Sequence, residues 1–145
     1  MEQHETPEAV AARADQEDPL VMYLVVRETL EMSIGKACAQ CAHAAQMITL
    51  EYFKRTAQLN CGQNVDTKGL SLFEKWLDTS FRKVSLKADD KEWQKVKAQL
   101  EPSSFITVVD NGLTEIPAGS ETVIGVWPML KSERPKILKK LQVLK

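Results

Sequence analysis

The chain has 145 residues, room for one domain, and its 43% hydrophobic and 27% charged content is that of an ordinary globular protein. Collagenous, disordered and disulfide-scaffold chains are excluded on those numbers. The net charge of −1 hides a division: residues 1–20 hold six acidic side chains against Arg13 alone, a balance of −5, and the remainder carries +4. An acidic lead and a mildly basic body suit a phosphate-bearing partner.

Residues 1–18 are polar, acidic and poor in large apolar groups, and are expected to be a disordered acidic tail ahead of a single domain over 19–145. An acidic opening (Glu2, Glu5, Glu8) is not a secretory signal. Pro19 precedes LVMYLVV (20–26), an apolar, β-branched run of strand length. It is far short of the ~20 residues that cross a bilayer, so no membrane partner is expected. Such a run predicts a strand buried on both faces at the centre of a sheet.

A loop over 29–35 leads to a long helix over 36–57, whose first half is nearly all Ala and Cys and so allows close approach to a sheet. A short helix follows over 70–77, then an alternating strand over 82–87. A third helix starts at Asp89, with acidic groups in its first turn. FITVV (105–109) is another buried-type strand, 110–122 a polar connection, and 123–127 a strand closed by Pro128. A short helix over 132–140 and a terminal strand over 141–144 complete the pattern. Strands alternating with helices predict a three-layer α/β/α sandwich around a mixed central β-sheet of about four strands.

Three cysteines imply no disulfide framework, and a reducing cytoplasm is the expected compartment. Cys38, Cys41, His43 and Cys61 make four metal ligands on paper. The C-x-x-C sits in a helical run of small residues rather than on a turn, so no metal is expected. Gly35-Lys36 is not a nucleotide-binding P-loop: Leu30 stands where the first glycine belongs, and Ala37 where a hydroxyl would hold magnesium.

Two constellations carry candidate chemistry. Lys36, Gln40, His43 and Met47 are spaced by four, three and four, which predicts one helical face. Lys36 also lies at the positive end of its helix, where a cation needs a nearby anion. The second is Asp110-x-Gly112-x-Thr114 followed by Thr122, at the ends of two strands where α/β folds place their sites. A carboxylate beside hydroxyls can orient a water or a substrate hydroxyl. No G-x-S-x-G nucleophile elbow is present, which argues against a serine hydrolase.

Taken together, VVR (25–27), the string Met32-x-x-Gly35-Lys36-x-x-Ala39-Gln40-Cys41-x-His43-Ala44, and Asp110-x-Gly112-x-Thr114 with Gly119-x-x-Thr122 occur in that order. This resembles the archaeal/eukaryotic (type II) peptidyl-tRNA hydrolases, from about residue 20 to the C-terminus. The resemblance implies an α/β/α fold, tRNA as partner, and hydrolysis of the ester that joins a stalled peptide to tRNA. It implies no cofactor, no metal and, often, a homodimer. Position by position, the catalytic lysine falls on Lys36, the aspartate on Asp110 and the two threonines on Thr114 and Thr122. Gly35, Gln40, His43 and Gly112 match further motif positions, read as substrate-binding. Ser33 stands where the family has glycine, Ile34 where it has lysine, and Asn111 where it has alanine. The missing loop lysine gives a rival expectation: a catalytically silent tRNA- or protein-binding module on the same fold.

Overall fold

A computed structural model describes residues 4–112 and 115–145. In chain order it contains α1 (Pro7–Glu17), β1 (Leu20–Arg27), α2 (Ile34–Asn60), α3 (Thr67–Asp78), β2 (Lys83–Ala88) and α4 (Asp90–Gln99). Then come β3 (Phe105–Val109), β4 (Glu121–Val126), β5 (Met129–Leu130), α5 (Lys136–Lys140) and β6 (Gln142–Val143).

The apolar run predicted to be central is β1. Val21, Tyr23 and Val25 point into one core with Trp93 and Val96 of α4 and Ile137 and Leu138 of α5. Leu20, Met22, Leu24 and Val26 point into the other, with Ala44 and Ile48 of α2 and Phe73 and Trp76 of α3. A strand that serves two cores cannot alternate polar with apolar.

The sheet runs β3-β4-β1-β2-β6, with β5 paired to β1. β1 is parallel to β2 and antiparallel to β4, so the sheet is mixed as expected. It has six strands rather than about four because two-residue β5 and β6 join by backbone pairing alone, too short for any side-chain period. β6 lies within the terminal strand read from the sequence.

The small residues of α2 do allow a close approach. A Cβ on Gly125 of β4 would lie 3.1 Å from Ala44 Cβ and 2.9 Å from Ile48 Cδ1. On α3, Phe73 stacks on Tyr52 of α2 at 4.3 Å between ring centroids. The start of α4 is closed by a capping box: Glu92 N–H donates to Asp89 and Asp89 N–H to Glu92.

Where the sequence suggests a disordered tail, the structure has α1. Thr6 caps it, accepting from Ala9 N–H at 3.1 Å; Pro7 occupies its first turn, and its alanines are strong helix formers. No α1 residue is buried. The segment docks by polar contacts, with Asp15 against Arg82 at 3.5 Å and the Ser132 N–H and hydroxyl donating to Asp18.

Gly125→Val puts carbon into the closed α2–β4 contact. Overpacking of this kind costs about 1–3 kcal/mol. The expected result is a lower urea midpoint with an unchanged slope, and a midpoint equal to wild type would show that the contact has slack.

Candidate active site

The C-terminal ends of β1 and β3, the start of β4 and the N-terminus of α2 meet at one end of the sheet. Ser33 opens α2, its hydroxyl accepting from Lys36 N–H at 3.2 Å. One turn into the helix, Lys36 Nζ lies 2.6 Å from Asp110 Oδ2, and the two side chains are only 10% and 8% exposed. The anion that the position of Lys36 demands is therefore supplied within the chain.

Asp110 is held by its own loop. Its N–H donates to Ser120 O and its carbonyl accepts from Gly119 N–H. Its Oδ1 accepts from Gly112 N–H at 3.1 Å. Gly112 adopts φ 78°, and a Cβ there would lie 2.4 Å from Ala118, so a side chain would break the loop closure.

One turn further along α2, a second contact is sealed. The fully buried Thr122 hydroxyl donates to Gln40 Oε1 at 2.6 Å, with Val108 O at 3.3 Å as a further acceptor. Lys36–Asp110 and Gln40–Thr122 thus join the same helix to the same two strand ends. Thr114 lies outside the described residues. Gly35 and His43 are exposed on α2, with His43 lining the site.

The four residues of the stripe line one cavity, as their spacing predicts, and differ only in depth: Gln40 is buried, whereas His43 and Met47 are exposed. The paper metal set does not converge, because Cys38 and Cys61 lie at opposite ends of one helix, roughly 35 Å apart at 1.5 Å per residue. Among the described residues, no cluster of three metal-ligating side chains occurs.

Sequence reasoning missed Glu115. Its carboxylate accepts from Ser33 N–H at 2.8 Å and from the Ser33 hydroxyl at 2.7 Å. This clasp ties the 110–120 loop to the start of α2 from 82 residues away. The backbone N–H of Ser33, then its hydroxyl, hold the Glu115 carboxyl below the usual carboxylate range, with the Lys36 charge adding to the effect. Ser33 was visible as a departure from the family pattern, but nothing local to either residue announced the pairing.

The cavity beside these contacts has a volume of about 550 Å³ and runs between α2 and β3. Lys36, Gln40 and Asp110 line it, with His43, Met47 and Leu50 further along.

The fold and these contacts define an α/β/α protein with a charged, partly enclosed site at the end of its sheet. The chain belongs to the family described as peptidyl-tRNA hydrolase PTH2, whose family model matches residues 20–144. It is 29% identical over 126 residues to the peptidyl-tRNA hydrolase of Thermoplasma acidophilum, covering 85% of this chain and 97% of that one. Peptidyl-tRNA hydrolase 2 of Saccharomyces cerevisiae is 32% identical over 120 residues, covering 77% and 51%. Peptidyl-tRNA hydrolase 2, mitochondrial, of Homo sapiens is 30% identical over 110 residues, covering 74% and 54%. The chain thus matches about half the length of these two eukaryotic relatives and nearly all of the archaeal one.

The clasp has a pH signature. Because the folded carboxyl titrates below its unfolded value, its stabilisation is full above the ordinary carboxylate range and is lost as pH falls through the depressed value. Glu115→Gln is expected to be less stable than wild type at neutral pH, with the gap closing on acidification. Urea midpoints across an acid series measure it, and a gap independent of pH would remove the charge from the explanation.

Proposed function

We propose that this protein hydrolyses peptidyl-tRNA, cleaving the ester between peptide and tRNA and so recycling tRNA from stalled translation. The carrying observation is the 2.6 Å Lys36–Asp110 contact at a cavity, in a chain whose family carries that activity in its description. Asp110 orients the attacking water and takes its proton as the oxygen adds to the ester carbonyl. Lys36 has three N–H donors, enough to keep Asp110 and still reach the developing oxyanion. The carbonyl–oxygen bond to the ribose then breaks, and the ribose oxygen takes the proton from Asp110.

Thr122 acts as a positioning residue. By engaging Gln40 Oε1 it leaves the amide N–H groups of Gln40, a cavity residue, to face substrate. Thr114 is assigned a hydroxyl that positions water or ribose, on its motif position alone. Gly35 keeps the backbone open beside the site, Gly112 closes the loop that holds Asp110, and His43 contacts substrate from the exposed side of α2. We assign the activity to residues 19–145, to the cytoplasm and to no metal. The homodimer is proposed on the resemblance alone. Among the described residues, no helix is long and apolar enough to cross a membrane.

Release of tRNA from an N-blocked aminoacyl-tRNA tests the reading. Lys36→Ala and Asp110→Asn are each expected to lower kcat by roughly 10²–10³ with little change in KM, the behaviour of groups that act on the transition state. A wild-type chain that binds this tRNA and releases nothing would leave a silent binding module. If Lys36→Ala keeps kcat and loses only salt-sensitive affinity, Lys36 is a phosphate anchor and the chemistry rests on Asp110.

The missing loop lysine gives a separate test. Ile34 is 85% exposed in the first turn of α2. A lysine there adds one phosphate contact, so Ile34→Lys should tighten tRNA binding at low salt. It should also steepen the slope of log K against log salt by roughly 0.7 to 0.9. An unchanged slope would place the tRNA backbone away from this turn.

A further inference from the structure

The site continues beyond its charged end, and the continuation has a definite chemistry. β3 is the last strand of the sheet, paired to β4 on one side. Along β3, Ile106 and Val108 pack into the core beneath α2, and Phe105 packs into the opposite core. By alternation, Thr107 and Val109 share the face of Phe105. Yet Thr107, Val108 and Val109 all line the cavity that holds Lys36 and Asp110. Three successive residues with side chains on alternate faces meet one cavity along the strand's edge. That edge carries the N–H and C=O groups that do not point at β4.

The opposite wall is α2, through Gln46, Met47 and Leu50. Leu50 is 59% exposed, and Val109 across from it 52%. Lys36 and Asp110 are the only Lys, Arg, Asp or Glu among the described residues lining this cavity. The stretch from Ala44 to Leu50 therefore offers no cation to a phosphate backbone. From Lys36 to Leu50 the helix advances about 21 Å, the length of roughly six extended residues.

We propose that this edge receives the peptide half of the substrate as an added β-strand. The ester lies at Lys36–Asp110, and the peptide runs away from it along β3, main chain to main chain, with its side chains against Met47, Leu50 and Val109. This rests on the hydrolase reading above. It also meets a demand of that reading: stalled peptides share no sequence, and a strand edge recognises what they do share, the backbone. The tRNA then approaches from the α2 N-terminus, where Ile34 and Gly35 are exposed.

The test uses a tetra-alanyl-tRNA series carrying a single backbone N-methyl group at each peptide position in turn, beside N-acetyl-alanyl-tRNA. In an added strand, alternate N–H groups face the protein edge and the others face away. N-methylation is expected to lower kcat/KM by roughly five- to ten-fold at every second residue, the value of one hydrogen bond, and to have little effect between. The unmodified tetrapeptide should also exceed the N-acetyl substrate. Equal tolerance at all positions, or equal loss, would overturn the added strand while leaving hydrolysis intact. No release from any substrate, N-acetyl-alanyl-tRNA included, would instead sink the hydrolase reading. Tolerance at all positions combined with self-association that Val109→Lys abolishes would assign the edge to a second copy of this chain.

Discussion

The close approach of α2 to β4 is the constraint on which the site depends. Gly125 offers no side chain and Ala44 offers a methyl, so helix and sheet meet at a separation a larger pair would not permit. At that separation the first turns of α2 stand directly beside the ends of β3 and β4. Lys36 then reaches Asp110, and Gln40 reaches Thr122. A helix held further out would leave the lysine in water and the threonine hydroxyl with only the longer contact to Val108 O.

Placing two opposite charges in so enclosed a position has a thermodynamic consequence. Each ion loses hydration, and each compensates the other, so removing one strands its partner. The surrounding backbone shares the burden: Gly112 N–H holds the second carboxylate oxygen, and Gly119 and Ser120 hold the main chain of Asp110. Glu115 brings a second carboxylate to the same end of α2, where the helix dipole favours negative charge. Ser33 makes this arrangement available, since its hydroxyl accepts from Lys36 N–H while donating to Glu115. A glycine at that position would provide neither bond. The departure from the family pattern at Ser33 is therefore tied structurally to the loop that carries Asp110.

The edge position of β3 joins the charged end of the cavity to its apolar end. An unpaired edge is a hazard in a free sheet, and proteins ordinarily blunt it. Here the register shifts between Val108 and Val109, a local irregularity just before Asp110. The same strand thus delivers the carboxylate at its end and presents backbone groups along its side. Both features follow from a topology in which β4 stands between β3 and the central β1.

Much of this was legible in the residues themselves. The apolar run 20–26 has no polar alternation, so it had to lie between two cores, and it does so as β1. The alanine-rich segment is the start of α2, and Asp89 with Glu92 marks the start of α4. Those signals are local: a strand's period, a helix's small face and a cap are each written within a few residues. Lys36, Gln40, Asp110 and Thr122 were likewise recognisable by type, order and spacing. Their pairing was not, because spacing along a helix gives a face but not what the face meets. The stripe of Lys36, Gln40, His43 and Met47 does line one cavity, but its depth was not legible: the sheet covers Gln40 and leaves His43 and Met47 exposed. Likewise, Glu115 met Ser33, β5 joined the sheet, and 7–17 became a docked helix. The sequence by itself determined the long strands and helices of the domain and which residues have the chemistry for a site. Tertiary structure alone decided which of those residues touch, because contacts between segments 82 residues apart depend on how whole elements pack rather than on any neighbour in the chain.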